Sequence, residues 1–301
     1  MILLIGYGYW GKNLARNFNK ELVAICDQDD SKLALAKKLY QNINLYSDIN
    51  EALKQDNIKA VIIATKASTH YDIAMKCLKA GKDLWIEKPV CKNLKEIDEL
   101  MSEANRSNKI IFIDHTFCYH PAVQKIKQID IGKPIYYDSL RISLGLFQTD
   151  VDVLLDLAIH DVSILNYLYP DLELIDRTII KNNHINDKAN QVLLNLKFKN
   201  NFTATINCNW VSPVKKRQII ITGDKNSIVY DDIDVDKLKI YSTGNIKPDF
   251  NANQLGDMLV PKIETTEALN NGKNHFLYCI NNRIQPITNM IQTKKIMEWI
   301  L

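Results

Sequence analysis

Three glycines near the start of the chain have the spacing of a dinucleotide-binding loop. Gly6, Gly8 and Gly11 follow the apolar residues 1–5 directly, in the order G-x-G-x-x-G. In such a loop the first glycine allows a tight strand-to-helix turn, the second lets the backbone approach a pyrophosphate, and the third lets the helix pack closely on the strand. The N-terminus of that helix then attracts the phosphate charge. The spacing therefore predicts a phosphate-binding turn.

An acidic residue stands where the ribose of a dinucleotide would be bound. A second apolar run, residues 22–26, ends at Asp27, about 20 residues past the first glycine, where an acid meets the adenosine ribose hydroxyls. No arginine follows in residues 28–30 to bind a 2'-phosphate, and Lys32 is the nearest cation. These residues predict NAD(H) as the preferred cofactor over NADP(H). Tyr9 and Trp10, inside the loop, are expected to flank the pyrophosphate or the substrate entrance.

Asp156 and His160 are four residues apart in a predicted helix over residues 153–169, and therefore one turn apart on one face. A carboxylate there can orient an imidazole, which can move a proton at neutral pH. Two other interpretations remain open. His and Asp at this spacing can also bind a metal ion, although no third ligand lies nearby in the sequence. Alternatively, His160 could be a structural histidine in the core whose hydrogen-bonding groups are paired with a neighbouring acid. We predict proton transfer and no metal.

Lys88 follows Glu87 at the carboxyl end of a predicted strand over residues 83–87. Ligands of parallel sheets bind at these ends. An ammonium group there could hydrogen-bond a cofactor ribose and stabilise a developing alkoxide on the substrate. Pro89 restricts the backbone of the residue before it, and so limits the direction of the lysine. A salt bridge between Glu87 and Lys88 is the alternative, and it is disfavoured because neighbours on a strand point to opposite faces.

Strands and helices alternate through the first part of the chain. The predicted strands are residues 1–5, 22–27, 60–64, 83–87 and 110–115, and the predicted helices are residues 11–18, 31–40, 69–79 and 94–105. Alternation of this kind is typical of a parallel sheet covered by helices on both faces. We therefore predict an α/β Rossmann domain over residues 1–117.

After Pro121 the pattern changes. The predicted helix 153–169 is followed by strands over residues 174–181, 191–198, 202–210, 217–222, 227–231 and 238–241, and then by two helices over residues 266–281 and 289–300. Successive strands without helices between them indicate an antiparallel sheet. Residues 118–301 are therefore predicted to form an α+β domain with an open, mainly antiparallel sheet that binds substrate. The last helices could pack back on the first domain.

Composition excludes several classes of protein. The 301 residues carry a net charge of +3 with lysines and acids interspersed, so the sequence predicts no basic surface for binding nucleic acid. No apolar run approaches the length of a membrane span. Six scattered cysteines without a C-x-x-C pair fit reduced thiols. Because Met1 begins the first strand, no room is left for a signal peptide, and we expect a cytoplasmic protein.

Three segments together resemble the glucose-fructose oxidoreductase, inositol dehydrogenase and rhizopine-catabolism (Gfo/Idh/MocA) family. They are Trp85-Ile86-Glu87-Lys88-Pro89, residues 63–65 leading to His70, and Asp156-Leu157-Ala158-Ile159-His160-Asp161. The resemblance implies an NAD(P)-dependent oxidoreductase that acts on a CH–OH group of a sugar, cyclitol or nucleotide sugar. More finely, it resembles members that act in bacterial surface-carbohydrate metabolism.

The resemblance also implies roles for particular residues. Besides the glycine loop and Asp27, the cofactor side would include Thr65, His70, Glu87 and Lys88. The catalytic and substrate-binding residues would be Lys88, Asp156 and His160.

Arg141 lies in a strand-like run over residues 135–144 and could bind a substrate phosphate or hydroxyl. A structural salt bridge is an equally good interpretation of this arginine. Two positions depart from the family pattern. Lys66 stands where a proline commonly follows Thr65, and residues 152–155 replace glycines that often precede the helix of Asp156.

Two functions from different classes follow. The first is the oxidoreductase, which we expect to be a homodimer or homotetramer because the exposed face of an open sheet must be covered. The second is a non-catalytic regulator that senses a dinucleotide with the same fold. Retention of Lys88, Asp156 and His160 favours the enzyme, because a sensor needs no proton-transfer groups.

Overall fold

The computed structural model describes residues 1–145, 147–185, 187–242 and 256–301. The chain divides into two compact units. The first contains Met1–Thr116 and Glu267–Met297, and the second contains Phe117–Thr266 and Glu298–Leu301. The first unit therefore includes a segment from near the C-terminus.

The first unit is built on a six-stranded sheet in which every neighbouring pair is parallel. Its strands are β1 (Ile2–Ile5), β2 (Leu22–Cys26), β3 (Asn44–Tyr46), β4 (Ala60–Ile63), β5 (Asp83–Glu87) and β6 (Ile111–Asp114), in the order β3-β2-β1-β4-β5-β6. The strand order reverses at β1, which is where ligands bind in open parallel sheets. The predicted Rossmann sheet is confirmed.

Five helices connect these strands: α1 (Tyr9–Asn17), α2 (Asp30–Leu39), α3 (Ile49–Leu53), α4 (His70–Lys79) and α5 (Leu94–Ser107). The N-termini of α2, α3 and α5 are capped by side chains that accept backbone hydrogen bonds. Asp29 accepts from Ser31 N at the start of α2, and Asn93 accepts from Glu96 N at the start of α5. Caps of this type satisfy N–H groups that have no partner within the helix.

The second unit contains an eight-stranded sheet accompanied by helices. Its elements are α6 (Pro121–Ile126), β7 (Pro134–Leu144), a π-helix (Leu154–Ala158), α7 (Ile159–Leu168), β8 (Leu174–Asn182), β9 (Gln191–Phe198), β10 (Thr203–Asn209), β11 (Val211–Gly223), β12 (Asn226–Asp231), β13 (Leu238–Ser242) and β14 (Met258–Leu259). The strand order is β14-β13-β12-β11-β7-β10-β9-β8. Only β7 and β10 pair in parallel among the described strands of this sheet. The predicted open, mainly antiparallel sheet is confirmed.

The two faces of this sheet differ in burial. Along β9 the side chains of Val192, Leu194, Leu196 and Phe198 are buried, and those between them are half-buried or exposed. This is the period of two expected of a strand with one core face. On the core side, α7 is buried almost all round, with Ile159, Val162, Ile164 and Leu165 fully enclosed.

The structure also contains elements that the sequence patterns did not predict. Strand β3 and helices α3 and α6 are three to six residues long, too short to show a clear period. The predicted helix 153–169 is not a uniform α-helix, since it begins as the π-helix Leu154–Ala158. A π-helix is rare and often occurs at functional sites.

Two helices close the chain, α8 (Ala268–Asn282) and α9 (Met290–Ile300). In the first unit, Phe276 of α8 packs edge-on against Trp85 and Phe112, which are themselves stacked with ring centroids 4.1 Å apart.

Across the described residues, every helix is too short or too polar to cross a membrane. All six cysteines lie in the described ranges, where they are buried and form no disulfide bond.

Candidate active site

The glycine loop between β1 and α1 has the geometry that its spacing predicts. Gly6 has φ +94°, and a Cβ atom added there would lie 2.6 Å from the carbonyl oxygen of Ala64. A Cβ on Gly11 would lie 2.0 Å from the carbonyl oxygen of Gly6. A Cβ on Gly8, in contrast, would meet nothing within 4 Å. The first and third glycines are therefore required by the fold, and the second leaves open space beside the backbone, where a phosphate contact stays a prediction.

Asp27 is held in a fixed orientation next to this loop. Its Oδ2 accepts a hydrogen bond from the backbone N–H of Tyr7 at 2.7 Å, and its Oδ1 accepts one from the N–H of Asp29 at 3.0 Å. Lys32 Nζ lies 3.6 Å from Asp27 Oδ1 and 3.7 Å from Asp29 Oδ2. The nearest cation is thus directed at two carboxylates, which reduces its ability to bind a 2'-phosphate.

His70 connects two loops at the carboxyl end of the parallel sheet. Its Nδ1 lies 2.9 Å from the carbonyl oxygen of Pro89, and its Nε2 lies 3.1 Å from the carbonyl oxygen of Thr65. The Thr65 hydroxyl accepts a hydrogen bond from Thr69 Oγ1 at 2.8 Å. His70 is buried, so it braces the loops after β4 and β5. A direct contact of His70 or Thr65 with a cofactor stays a prediction.

Tyr9 and Trp10 lie at the start of α1 in different surroundings. Tyr9 is 81% exposed, whereas Trp10 is half-buried and its Nε1 is enclosed. Tyr9 is therefore available to an approaching ligand, and Trp10 contributes to the floor of the loop. Their expected positions beside the pyrophosphate remain predictions.

Glu87 and Asp114 form a buried pair of carboxyl groups at the ends of neighbouring strands. They are register partners on β5 and β6 and are 8% and 1% exposed. Burial, together with the negative charge of Asp114, raises the pKa of Glu87 well above its ordinary value. Thr116 Oγ1 donates a hydrogen bond to Asp114 Oδ1 at 2.8 Å. Burial raises the pKa of Asp114 as well, and two adjacent buried carboxylates repel each other, so the site favours a proton on one of the two.

Buried polar atoms collect at this end of the sheet. Both ring nitrogens of His115 are buried without a hydrogen-bond partner within the described part of the chain, and the buried Trp10 Nε1 lies close enough to interact with the carboxyl groups of Glu87 and Asp114. Burial lowers the pKa of His115 to about 3, with a contribution from the Lys88 charge, so this imidazole is neutral. Buried polar groups ordinarily find partners, so these atoms are consistent with a site that a polar ligand completes.

Lys88 extends this cluster into the loop after β5. It is half-buried, and the peptide bond between Lys88 and Pro89 is cis. The position at the carboxyl end of a parallel strand is the one that the sequence predicted for it. Its contact with cofactor or substrate stays a prediction.

In the second unit, Asp156 lies in the π-helix and its carboxylate is held by a distant side chain. Trp210 Nε1 donates a hydrogen bond to Asp156 Oδ2 at 3.1 Å. The sequence predicted that Asp156 and His160 share one face of an α-helix. The π-helix changes the angular spacing of these residues, because it has more residues per turn than an α-helix.

His160 is half-buried at the start of α7 and packs against an aromatic ring. The centroids of His160 and Phe117 are 5.0 Å apart in an edge-to-face arrangement. The backbone carbonyl of His160 accepts a hydrogen bond from Ser163 Oγ at 2.7 Å. Its imidazole is therefore oriented by packing, and its role in proton transfer stays a prediction.

Arg141 forms a buried ion pair, which is one of the two interpretations that the sequence left open. Its Nε and Nη2 donate to Asp161 Oδ2 and Oδ1 at 2.9 and 2.7 Å. The guanidinium also lies 4.4 Å from the centroid of Phe117. Arg141 is 4% exposed, so it supports the two residues that adjoin His160, and a contact with substrate stays a prediction.

Sequence reasoning assigned no role to Asp114, His115 or Trp210. Asp114 and His115 could have been suspected because polar residues follow an apolar strand at the ligand-binding end of the sheet. Trp210 gives no such signal, since it is 54 residues from its partner. Among the described residues no group of three or more His, Cys, Asp or Glu could hold a metal ion.

A two-unit chain with this glycine loop and parallel sheet has the architecture of a dinucleotide-binding oxidoreductase. Residues 1–115 match the Gfo/Idh/MocA oxidoreductase family with its NAD-binding Rossmann fold, and residues 148–229 match the C-terminal domain of the same family. The chain belongs to the Gfo/Idh/MocA family.

The chain is similar to several dehydrogenases. It is 28% identical to UDP-N-acetylglucosamine 3-dehydrogenase of Acidithiobacillus ferrooxidans over 67% of this chain and 64% of the relative. It is 27% identical to myo-inositol 2-dehydrogenase of Thermotoga maritima over 55% of this chain and 53% of the relative. The matches thus span less than two thirds of the lengths of these relatives.

A solved structure of UDP-N-acetylglucosamine 3-dehydrogenase from Acidithiobacillus ferrooxidans superimposes with a TM-score of 0.86. The superposition covers 99% of this chain and 94% of the other, at 23% identity. At this identity the likeness concerns the fold.

Proposed function

We propose that the protein is an NAD(H)-dependent oxidoreductase that moves a hydride to or from a CH–OH carbon of a sugar, cyclitol or nucleotide sugar. The observation that carries this proposal is the glycine loop, in which only Gly8 is open to a phosphate. The substrate class is supported by the names of the two relatives above, a nucleotide-sugar dehydrogenase and an inositol dehydrogenase.

The first unit would hold the cofactor with groups that are already in place. The backbone around Gly8 and the N-terminus of α1 would bind the pyrophosphate, and Asp27 would accept the ribose hydroxyls. NAD(H) is preferred because the Asp27 carboxylate repels a 2'-phosphate and because Lys32 is engaged by Asp27 and Asp29. When bound, the nicotinamide supplies the hydride acceptor or donor.

Three side chains would act on the substrate. Lys88 Nζ would donate a hydrogen bond to the reacting oxygen and stabilise its developing negative charge. His160 would accept the hydroxyl proton in oxidation and return it in reduction. Asp156 would orient His160 or the substrate through its carboxylate. By microscopic reversibility the same groups serve both directions.

We further propose that a second copy of the chain covers the outer face of the eight-stranded sheet. On this face Leu140 and Ile142 of β7 are half-buried, as are Ile220 of β11 and its register partner Val229 of β12. The β11 partners of Leu140 and Ile142 are Gln218 and Lys216, so apolar and polar side chains alternate across the face. Tyr136 on the central strand β7 is 38% exposed. Half-buried apolar side chains interspersed with polar ones are typical of protein–protein interfaces, and an open sheet offers such a surface to a second copy. Light scattering should show a homodimer or homotetramer that Ile142→Lys dissociates; a monomeric wild type would contradict this.

The same proposal places the protein in the cytoplasm, in bacterial surface-carbohydrate metabolism. Six buried cysteines, all in the described ranges and outside any disulfide bond, fit a reducing compartment. The finer metabolic setting rests on the family resemblance of residues 115–117 and 156–161.

The central test is an absorbance assay for nicotinamide reduction or oxidation. The purified protein is mixed with NAD⁺ or NADP⁺ and a panel that includes UDP-N-acetylglucosamine, other nucleotide sugars and myo-inositol. We expect turnover of a panel member with NAD⁺, and Lys88→Met should lower it by about 100-fold while NADH still binds. Binding of NADH without turnover of any member would favour the dinucleotide-sensing regulator.

A further inference from the structure

Trp210 occupies the junction between β10 and β11 and points its indole at the π-helix. Its Nε1 lies 3.1 Å from Asp156 Oδ2, and the side chain is 1% exposed. The indole N–H is a donor only, so it can bind an acceptor oxygen of Asp156 but cannot exchange donor and acceptor roles with it. A hydrogen bond to a carboxylate is also stronger than one between neutral groups.

The donor side of this hydrogen bond is held in place by its backbone and its neighbours. The backbone N–H of Trp210 donates to the carbonyl of Asn190 at 3.0 Å, and its carbonyl accepts from the N–H of Gly145 at 3.1 Å. A Cβ atom on Gly145 would lie 3.3 Å from Trp210 Cδ1, and the ring of Phe147 packs edge-on at 5.6 Å. The indole therefore has little freedom to turn away from Asp156.

The backbone that carries the acceptor, Asp156, is also held in place by hydrogen bonds. Asp152 stands just before the π-helix, and its Oδ1 accepts from the N–H of Leu155 at 3.2 Å. Lys181 Nζ of β8 lies 2.9 Å from Asp152 Oδ2, and the N–H of Asp156 itself donates to the carbonyl of Asp152 at 3.0 Å. The π-helix is thereby tied to β8 at its start and to the β10–β11 junction through Trp210.

We propose that Trp210 is a positioning residue that fixes the orientation of the Asp156 carboxylate for the reaction. The inference rests on the proposed function, since it assigns Trp210 an effect through Asp156 and none on substrate or cofactor directly. A rigid donor on Oδ2 restricts the rotation of the Asp156 carboxylate. Without that donor, the carboxylate would lose one of the contacts that hold its orientation, and it would spend less time in the orientation that serves the reaction.

The hydrogen bond itself can be tested without any substrate. The chain has four tryptophans, so 5-fluorotryptophan labelling gives a fluorine NMR spectrum in which Trp210→Phe identifies one signal. We expect Asp156→Ala to shift that signal and leave the signal of Trp85 in place. An unchanged Trp210 signal would overturn the inference.

The kinetic consequence is tested with a matched pair of variants on the panel member that the protein turns over. Trp210→Phe keeps an aromatic ring but removes the donor, and we expect kcat to fall about tenfold, the effect of losing a hydrogen bond to a charged group. The dissociation constant for NADH should stay unchanged. Trp85→Phe is the control, because Trp85 is also buried but its Nε1 has no partner within the described part of the chain.

A double-mutant cycle separates positioning from general packing. In the Asp156→Ala background, Trp210→Phe should have almost no further effect on kcat, because the two residues act as one unit. An equal loss in both backgrounds, or wild-type kcat for Trp210→Phe, would overturn the positioning role while leaving the proposed function intact. Wild-type kcat for Asp156→Ala would instead refute the role of Asp156 in the proposed function.

Discussion

The glycine loop of the first unit and the π-helix of the second are held by different means. The loop is shaped by its backbone, since Gly6 and Gly11 fit only because they lack Cβ atoms. The π-helix depends on side chains from distant strands, Lys181 and Trp210. In the glycine loop, any Cβ atom added at Gly6 or Gly11 would clash with the backbone. In the π-helix, each substitution of a contacting side chain would remove one hydrogen bond and leave the others in place. The two regions should therefore fail differently when mutated.

The largest effect is expected at His160. His160→Asn should lower turnover by about 10²- to 10⁴-fold, the contribution of a general acid–base group. It should also remove any ionisation of the pH–rate profile in the range where imidazole titrates. NADH affinity should not change. The exposed His184→Asn serves as a control with wild-type turnover, and a retained ionisation in His160→Asn would assign proton transfer to another group.

A pair of alanine substitutions tests whether the loop is a backbone site. Gly11→Ala places a Cβ against the Gly6 carbonyl and should destabilise the protein by about 1–3 kcal/mol or more. Gly8→Ala meets no protein atom within 4 Å and should leave the melting temperature unchanged while weakening NADH binding. Thermal unfolding and fluorescence titration measure the two effects. Equal loss of stability in both variants would contradict the assignment of Gly8 to ligand contact.

Asp27 offers a finer test of the same region. Asp27→Asn removes the negative charge and leaves Lys32 with Asp29 as its remaining carboxylate neighbour, so NADPH affinity should rise about tenfold relative to NADH affinity, as expected for a changed interaction with a charged group. Titration with both cofactors measures the ratio. Tighter binding of NADPH than NADH by the wild type would refute the proposed preference.

The smallest effect concerns the carboxyl pair. Because the pKa of Glu87 is raised in the folded state, its contribution to stability is complete at low pH and is lost as the pH rises through that raised value. The free energy of unfolding of the wild type should therefore decline toward alkaline pH. Asp114→Asn removes the neighbouring charge and should flatten this decline. Chemical denaturation across pH measures it, with the more exposed Asp98→Asn as control; parallel curves for wild type and Asp114→Asn would count against a shared proton.

Most of the fold could be predicted from local patterns, because strands β1, β2, β4, β5 and β6 are continuous apolar runs separated by amphipathic helices. The short elements β3 and α3 could not, since three to five residues carry no clear period. The parallel pairing of β7 with β10 was also missed, because it joins strands about 60 residues apart and depends on tertiary packing.

The candidate site also contains some features that the sequence could predict and others that it could not. The glycines and Asp27 could be identified from the sequence because their predicted roles follow from backbone geometry and spacing. The partners of Asp156 and Arg141 are not, because Trp210 and Asp161 meet them only in the folded chain. The π-helix could not be predicted either, since an apolar helical pattern in the sequence does not distinguish a π-helix from an α-helix.

The burial of all six cysteines has a practical consequence for the protein as a reagent. Burial raises the pKa of Cys26 and Cys77 to about 12 and that of Cys279 to about 11. Thiolate is the form that alkylating agents and peroxides attack, and almost none is present at neutral pH. The folded protein should therefore resist iodoacetamide and storage in air without a reducing agent, and rapid alkylation would report unfolding of the chain.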